Sequence, residues 1–505
     1  MKNNLYIYLI SALFIFSSCD DYLDVAPKKS SDVTPKTTSD VELILAGAYR
    51  NDEISSQKIW YSDDVDPRVE IHNKNNFFYN IQDIQAATWE TEASSKNYKD
   101  YFWMYRYQNI FRSNMAINIL DESNLISEKD KKRLYAQAYF KRAYNYFLVT
   151  NLYCLPYKES NLSELGVVLK KETSFSENVK RASLEDTYKF IEDDLKKCFE
   201  LDVKLTSTIG FNSPYRVTNA AVYAFAARFY LTMHNYDKAY EYSKKAIELY
   251  GVDNLKDLNT LGYSAESPEA GSINIDGTEV TYELNYPATY NNWNPMFWTE
   301  TYFNANLGTG FGGPEPWRIP SQALLDTYDI DGAKEDDMRY KQYMVEHYSY
   351  KMGLGMDLPG CLAKNTVDLT VAEMLLIKAE CEARKFTWSD AMTTLATLRA
   401  KRIAPSGNIN LTASDKDDAI KKVIEERRRE MPIFSRWDDI RRYNSNDYAA
   451  DDITITRKFY GYTTSSISKG EVKTYTLNKD DRRYAAPLPH SEIISSNGVI
   501  EQNKY

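Results

Sequence analysis

The chain has 505 residues, of which 43% are hydrophobic and 27% charged, and its formal net charge is −10. This composition excludes an intrinsically disordered chain and a polytopic membrane protein. The negative charge argues against a nucleic-acid-binding surface, because such binding depends mainly on Lys and Arg side chains that neutralise phosphates. The 41 tyrosines suit both helix packing and a wet binding surface, so they do not decide between the two.

The N-terminus predicts a lipoprotein signal. Lys2 precedes a mostly apolar stretch, Leu5–Phe16, that is too short to span a bilayer. Two serines and Cys19 follow, and they resemble a lipoprotein cleavage box in which the cysteine sulfur receives diacylglycerol. We therefore expect residues 1–18 to be removed, Cys19 to carry a lipid anchor, and residues 19–39 to form a tether. An ordinary signal peptide with an incidental cysteine is the alternative.

Beyond residue 40, apolar residues recur mostly at helical spacing, which predicts a mainly α fold in a single domain over residues 40–505. Residues 216–251 match one helix-turn-helix unit of the tetratricopeptide kind, in which Ala227 and Ala239 let two helices approach closely.

The same pattern recurs in residues 371–402, where Ala379 and Ala391 have the same twelve-residue spacing. A helix over 130–153 is expected to pair with one over 184–201. Such pairs bury a continuous core only when they stack, so we predict a scaffold of helical pairs over about 130–251 and 371–443.

Between about residues 255 and 370, Gly, Pro, Asn and aromatic residues replace the helical period. This pattern predicts an inserted region rich in loops and aromatic residues. Its segment Asn304–Pro316 is rich in glycine but lacks the Lys-Ser or Lys-Thr of a phosphate-binding loop.

Residues typical of catalytic and metal sites are sparse. The five cysteines have no CxxC spacing and the four histidines lie in unrelated contexts, which argues against a metal or redox site. No serine-hydrolase elbow, HExxH helix or nucleotide loop is present in the sequence.

Several separated segments resemble the SusD/RagB family. In the N-terminal half these segments are Cys19–Pro27, Leu45–Tyr49, Phe102–Asn114, Arg142–Pro156 and Arg181–Leu195. Near the C-terminus they are Glu425–Glu430, Arg436–Arg442 and Pro487–Asn503. One departure lies between Glu430 and Arg436, where the family usually carries a Glu-Gly pair and this chain has the shorter stretch Met431–Ser435.

The resemblance implies a lipid-anchored protein on the outer face of a bacterial outer membrane. Such proteins capture oligosaccharides, or in some members peptides, and deliver them to a SusC-like TonB-dependent transporter. The resemblance implies binding without catalysis and membrane contact through the lipid only. It implies no cofactor beyond the lipid on Cys19, and the sequence does not decide whether a structural calcium ion is bound. The alternatives are a RagB-like peptide or protein receptor and a helical-repeat scaffold without a small ligand.

Saccharide recognition needs flat apolar rings together with planar polar groups. Both occur in an N-terminal aromatic segment, residues 60–89, and a central aromatic segment, residues 286–318. The candidate ligand-binding residues are Trp60, Asp63, Asp64, Arg68, Trp89, Tyr290, Trp293, Trp298, Trp317 and Arg318. Similarity to the family favours Trp89, Tyr290, Trp293 and Trp317. We expect a surface arc of rings drawn from both segments; the alternative is that each ring anchors its loop to the scaffold.

Three further tryptophans are predicted to pack inside the protein. Trp103 and Trp388 occur at helical spacing, and Trp437 lies in the C-terminal signature segment, so all three are assigned to the core. The charge run Glu425–Arg429 is expected on a solvated helix face.

Overall fold

The computed structural model describes residues 35–46, 56–92, 100–174, 179–201, 216–262, 268–287, 298–303, 317–329, 334–362, 369–433 and 435–505. The predicted signal, Cys19, most of the tether and Asn304–Pro316 lie outside the described residues. No described helix is long and apolar enough to cross a membrane.

Helices make up most of the described chain. In chain order they are α1 (Thr38–Ala46), α2 (Ser56–Tyr61), α3 (Val69–Lys74), α4 (Ile81–Ala87), α5 (Tyr101–Glu122), α6 (Glu128–Tyr153), α7 (Leu184–Glu200), α8 (Asn219–Thr232), α9 (Tyr236–Tyr250), α10 (Gln322–Asp329), α11 (Met338–Tyr343), α12 (Tyr348–Lys351), α13 (Val371–Lys385), α14 (Trp388–Arg399), α15 (Lys416–Glu430), α16 (Arg436–Tyr443) and α17 (His490–Ser495).

Most of the strands are short, and they form small separate sheets. They are β1 (Leu165–Val168), β2 (Arg181–Ser183), β3 (Glu269–Ile275), β4 (Thr278–Leu284), β5 (Thr301–Phe303), β6 (Trp317–Arg318), β7 (Met344–Val345), β8 (Gly360–Leu362), β9 (Leu369–Thr370), β10 (Ile455–Tyr462) and β11 (Ile467–Leu477). The antiparallel pairs are β1–β2, β3–β4, β5–β9 and β10–β11, and β8 lies between β6 and β7.

The predicted helical pairs form. Helix α6 packs against α7, where Arg142 Nε donates to Asp194 Oδ2 at 2.7 Å, and α8 packs against α9. The alanines at the α8–α9 contact, Ala227 and Ala239, are fully buried. A small side chain there lets the two helix backbones approach, which explains the spacing of the repeat.

The pair α13–α14 repeats this arrangement, and Ala379 and Ala391 are likewise fully buried. One continuous hydrophobic core contains residues from Ile59 to Ile500, and a smaller cluster holds α1 against α5 and α6. Trp103 and Trp437 are buried in this core as predicted, whereas Trp388 packs partly exposed at its margin.

The predicted solvated face of Glu425–Arg429 is wrong, because three of its five side chains, those of Glu426, Arg427 and Arg429, are buried. Glu426 is fully buried and accepts hydrogen bonds from Arg399 Nη1 at 2.6 Å and Arg429 Nη2 at 2.8 Å. Arg427 donates to Asp439 of α16 at 2.8 Å. Buried ions are tolerated where each is paired and hydrogen-bonded, and the charge run supplies these pairs.

The departure after Glu430 forms a strained turn. Ile433 has φ +70°, in the left-handed region that favours glycine, and its backbone N–H donates to Asp64 Oδ2 at 2.7 Å. Its side chain is fully buried. Burial and the hydrogen bond therefore hold a β-branched residue in a conformation that costs it free energy.

Candidate functional site

The tryptophans of the N-terminal aromatic segment lie in the interior. Trp89 is 2% exposed, donates from Nε1 to the Tyr61 carbonyl at 3.1 Å, and has the Arg457 guanidinium 4.9 Å from its ring centroid. Trp60 is 7% exposed and packs edge-on against Tyr79. The expectation that Trp60 and Trp89 lie on a surface arc is corrected: both hold the segment onto the core.

The two acids of this segment are occupied by arginines from the C-terminal signature. Asp63 accepts from Arg436 Nε at 2.7 Å and Nη2 at 3.0 Å. Burial alone would raise the pKa of Asp63, but the guanidinium groups of Arg436 and Arg428 hold it well below its usual range. Asp64 is fully buried and accepts from Arg428 Nε at 2.7 Å. The expected surface position is thus also corrected for Asp64, and the half-buried Asp63 is engaged in a structural ion pair.

The N-terminal aromatic segment contacts the link between β6 and α10, directly after the central aromatic segment. Arg68 Nη2 donates to the Pro320 carbonyl at 2.8 Å, and Ser321 Oγ donates to the Asp63 carbonyl at 2.6 Å. Arg318 is half-buried; burial lowers its pKa and the nearby Asp83 carboxylate opposes that shift. The two segments are thus neighbours, but the buried Trp60 and Trp89 do not form a surface arc there.

The structure does not describe the side chains of the four other aromatic candidates. Tyr290 and Trp293 lie outside the described residues. Trp298 begins a short 3-10 helix and Trp317 begins β6, but their side chains also lie outside the description.

A cleft of about 600 Å³ lies between the β3–β4 hairpin and the segment from residue 335 to residue 357. We call it the tyrosine cleft. It is lined by Val280, Thr281, Tyr282, Glu283, Asn285, Glu335, Tyr340, Lys341, Met344, Glu346, His347, Tyr350 and Asp357. Its residues belong to the region predicted to be rich in loops and aromatic residues.

Three neighbouring rings, those of Tyr282, Tyr350 and His347, form an aromatic platform in this cleft. The ring centroids of Tyr282 and Tyr350 are 6.0 Å apart at an interplanar angle of 35°. The imidazole of His347 lies nearly parallel to the Tyr350 ring, at 5° and 6.1 Å. Tyr282 and Tyr350 are only partly buried, so part of each ring can contact a ligand. Flat, partly exposed rings are the groups that stack on the C–H faces of sugars.

His347 is held in place from two directions. Its backbone has φ +60°, in the left-handed region, and its Nδ1 lies 2.9 Å from Asp357 Oδ1. Left-handed backbone in a residue other than glycine is strained and persists where surrounding contacts require it. The strained backbone and the carboxylate together fix the imidazole beside Tyr350.

The hairpin that supplies Tyr282 is held near its strand ends. Asp276 and Gly277, with φ +50° and +90°, form its two-residue turn, which suits the twist of paired strands. Near the strand ends, Lys351 Nζ of α12 is 3.1 Å from Glu269 and 3.0 Å from the Tyr286 hydroxyl. At the tip, Lys74 of α3 lies 3.8 Å from Asp276, which brings the N-terminal aromatic segment next to the hairpin.

Two sequence comparisons decide the family. A SusD-like family model described as "Starch-binding associating with outer membrane" matches residues 21–231, and the model of the SusD family matches residues 362–505. The chain belongs to the SusD/RagB family. No curated protein matches it.

Solved structures of SusD proteins share the fold. A SusD superfamily protein from Bacteroides thetaiotaomicron has a TM-score of 0.61 at 18% identity, covering 93% of this chain and 100% of that chain. A putative sugar binding protein from Bacteroides vulgatus has 0.60 at 19%, covering 93% and 99%. Surface glycan-binding protein A from Bacteroides fluxus has 0.59 at 16%, covering 93% and 99%. The predicted family and the mainly α, tetratricopeptide-like fold class are confirmed.

Sequence reasoning missed the tyrosine cleft of this SusD-family chain. The signal was present, because residues 269–284 alternate in polarity on both sides of an Asp-Gly pair, a pattern typical of a hairpin. It would have placed Tyr282 on a strand. Tyr350, His347 and Asp357 follow no motif, since a short irregular segment brings them together.

Two larger cavities in the described chain differ in chemistry. One, of about 830 Å³, is an apolar groove lined by residues of α1 and α5, among them Trp103 and Phe111. The other, of about 790 Å³, lies on the helical scaffold beside His234 and Arg384. Neither lies in the region between residues 255 and 370. The described residues contain no group of three or more His, Cys, Asp or Glu side chains that could hold a metal ion.

Proposed function

We propose that this chain is a lipoprotein of the bacterial outer membrane that binds oligosaccharides at the cell surface and delivers them to a SusC-like TonB-dependent transporter. The observation that carries the proposal is the tyrosine cleft on a SusD fold, where Tyr282, His347 and Tyr350 form a fixed platform of partly exposed rings. The family description of starch binding at an outer membrane supports the ligand class and the location.

The chemistry of the cleft suits capture without turnover. A saccharide would stack a sugar face on the rings of Tyr282 and Tyr350, while side chains such as Asn285 and Glu283 accept or donate hydrogen bonds to its hydroxyls. An open, wet site of this kind gives modest affinity, with Kd between about 1 µM and 1 mM, because displaced water offsets much of the gain. Release to a transporter requires such reversibility.

We also propose that Cys19 carries the lipid and that the folded protein faces the outside of the cell. An anchored protein next to a transporter presents its ligand at high local concentration, so modest affinity is sufficient. Binding of peptides on the same scaffold is the competing function.

The test uses the purified full-length protein on a glycan array and a peptide library, with isothermal titration for each hit. We expect saturable binding of at least one oligosaccharide and unchanged ligand by chromatography after prolonged incubation. If no glycan on the array binds and peptides do, the protein is a peptide receptor and the proposed saccharide function is wrong. Glycan cleavage by the purified protein would overturn capture without turnover.

A further inference from the structure

The tyrosine cleft carries an excess of acidic side chains. Its lining includes four carboxylates, those of Glu283, Glu335, Glu346 and Asp357, whereas Lys341 is the one lysine among the lining residues. His347 adds a positive charge only when it is protonated.

Two of the carboxylates have nearby basic groups. Glu346 Oε1 lies 3.3 Å from Lys334 Nζ, and Asp357 Oδ1 lies 2.9 Å from His347 Nδ1. Glu283 and Glu335 have no basic group within ion-pair distance among the residues that the structure describes, and both are exposed at the cleft. Neither charge is therefore compensated by an ion pair, although Glu283 Oε1 accepts a long hydrogen bond from Asn285 Nδ2 at 3.4 Å.

We propose that the tyrosine cleft selects saccharides that are neutral or carry amino groups, and rejects glycans that carry carboxylates or sulfates. This inference rests on the proposed function and adds the ligand class to it. A uronic acid or sulfate bound in the cleft would share it with the four carboxylates that line its wall, and like charges repel one another. An ammonium group is attracted both by these carboxylates and by the electron-rich faces of the tyrosines.

The selection should appear as a difference in affinity. Two uncompensated carboxylates near one anionic group weaken its binding by about tenfold or more at low salt, and salt reduces the penalty because it screens exposed charges. Neutral sugars carry no such penalty. The variant Glu283→Gln/Glu335→Gln keeps the size of both side chains and one acceptor oxygen on each, while it removes their charge.

The experiment is a glycan array with neutral, amino-bearing, uronate, sulfated and sialylated classes, run at low salt. Hits confined to neutral and amino-bearing glycans support the inference, and acidic glycans among the wild-type hits overturn it. A completely blank array overturns the proposed function itself, so the two failures are distinguishable.

The variant Glu283→Gln/Glu335→Gln tests whether these two carboxylates cause the selection. For the uronate counterpart of a neutral hit, Glu283→Gln/Glu335→Gln should strengthen binding by about tenfold, while the Kd of the neutral hit stays within about twofold. The control Glu122→Gln/Glu128→Gln changes two exposed glutamates on α5 and α6 and should alter neither affinity. If the uronate binds no better to the cleft variant than to the control, these carboxylates are not the source of selection.

Discussion

Arg402 and Glu430 form a two-pronged ion pair in the interior of the protein. Arg402 Nε donates to Glu430 Oε2 at 2.9 Å and Arg402 Nη2 donates to Glu430 Oε1 at 3.0 Å, and both side chains are fully buried. The same guanidinium donates to Glu300 at 3.0 Å. One arginine thus joins the end of α15 to the segment that leads into β5.

Removing one partner of this pair should be costly. Arg402→Met leaves two buried carboxylates without their shared cation, and Glu430→Gln leaves a buried guanidinium with one anion fewer. We expect each single variant to lose about 3–5 kcal/mol of unfolding free energy in urea. The double variant Arg402→Met/Glu430→Met should lose less than the sum of its singles. Losses below about 1 kcal/mol for the singles would contradict the role assigned to the pair.

Acid stability should depend on Glu380. Burial alone would raise the pKa of Glu380, but the guanidinium groups of Arg442 and Arg384 lower it to about 2. A carboxyl whose folded pKa lies below its unfolded value of 4.5 stabilises the protein fully above that pH, and the contribution disappears as the pH falls toward 2. We expect Glu380→Gln to be less stable at pH 7, on the order of 3 kcal/mol, and to lose less further stability between pH 5 and pH 2.

Unfolding in urea at a series of pH values measures this difference. Glu492→Gln is a suitable control, because burial raises the pKa of Glu492 and its charge does not stabilise the fold in the same way. Parallel pH profiles for the wild type and Glu380→Gln would show that the ion pair with Arg442 does not set the acid limit.

The helical scaffold could be predicted because its spacing is local. Ala227 and Ala239 lie on neighbouring helices joined by a short turn, so their twelve-residue separation reports their contact directly. The interior charges could not be predicted in this way. Glu426 is paired with Arg399 and Arg339, which are distant in sequence, and a charge run alone is most often a solvated face.

The same limit applies to the site. Trp89 carries the aromatic character of a binding residue, but it is buried in the core and packs against Arg457 of the distant strand β10. The hairpin that carries Tyr282 was readable from its alternation and its Asp-Gly turn. Its partner ring, Tyr350, was not, because tertiary contacts alone bring α12 beside the hairpin.

The platform rings should carry the affinity. Tyr282→Ala and Tyr350→Ala each remove a stacking face, and we expect each to weaken oligosaccharide binding by about tenfold, since a contact with an aromatic ring contributes about 0.5–1.5 kcal/mol beyond its burial. Tyr101→Ala removes a partly exposed tyrosine from α5 and serves as the matched control. Titration calorimetry gives the affinities, and circular dichroism checks the fold. Wild-type affinity in both cleft variants would remove the tyrosine cleft from the proposed site.

The lipid anchor should depend on Cys19. Cells grown with labelled palmitate should incorporate label into the wild-type protein and not into Cys19→Ser, because the thioether to diacylglycerol needs the cysteine sulfur. Each buried methylene of an acyl chain contributes about 0.8 kcal/mol to membrane affinity, so the variant should move from the outer-membrane fraction to soluble fractions. Ser17→Ala keeps a small residue beside the predicted cleavage site and should retain both label and membrane. Label on Cys19→Ser, or wild-type protein recovered unlabelled, would reject the anchor and with it the expected surface location.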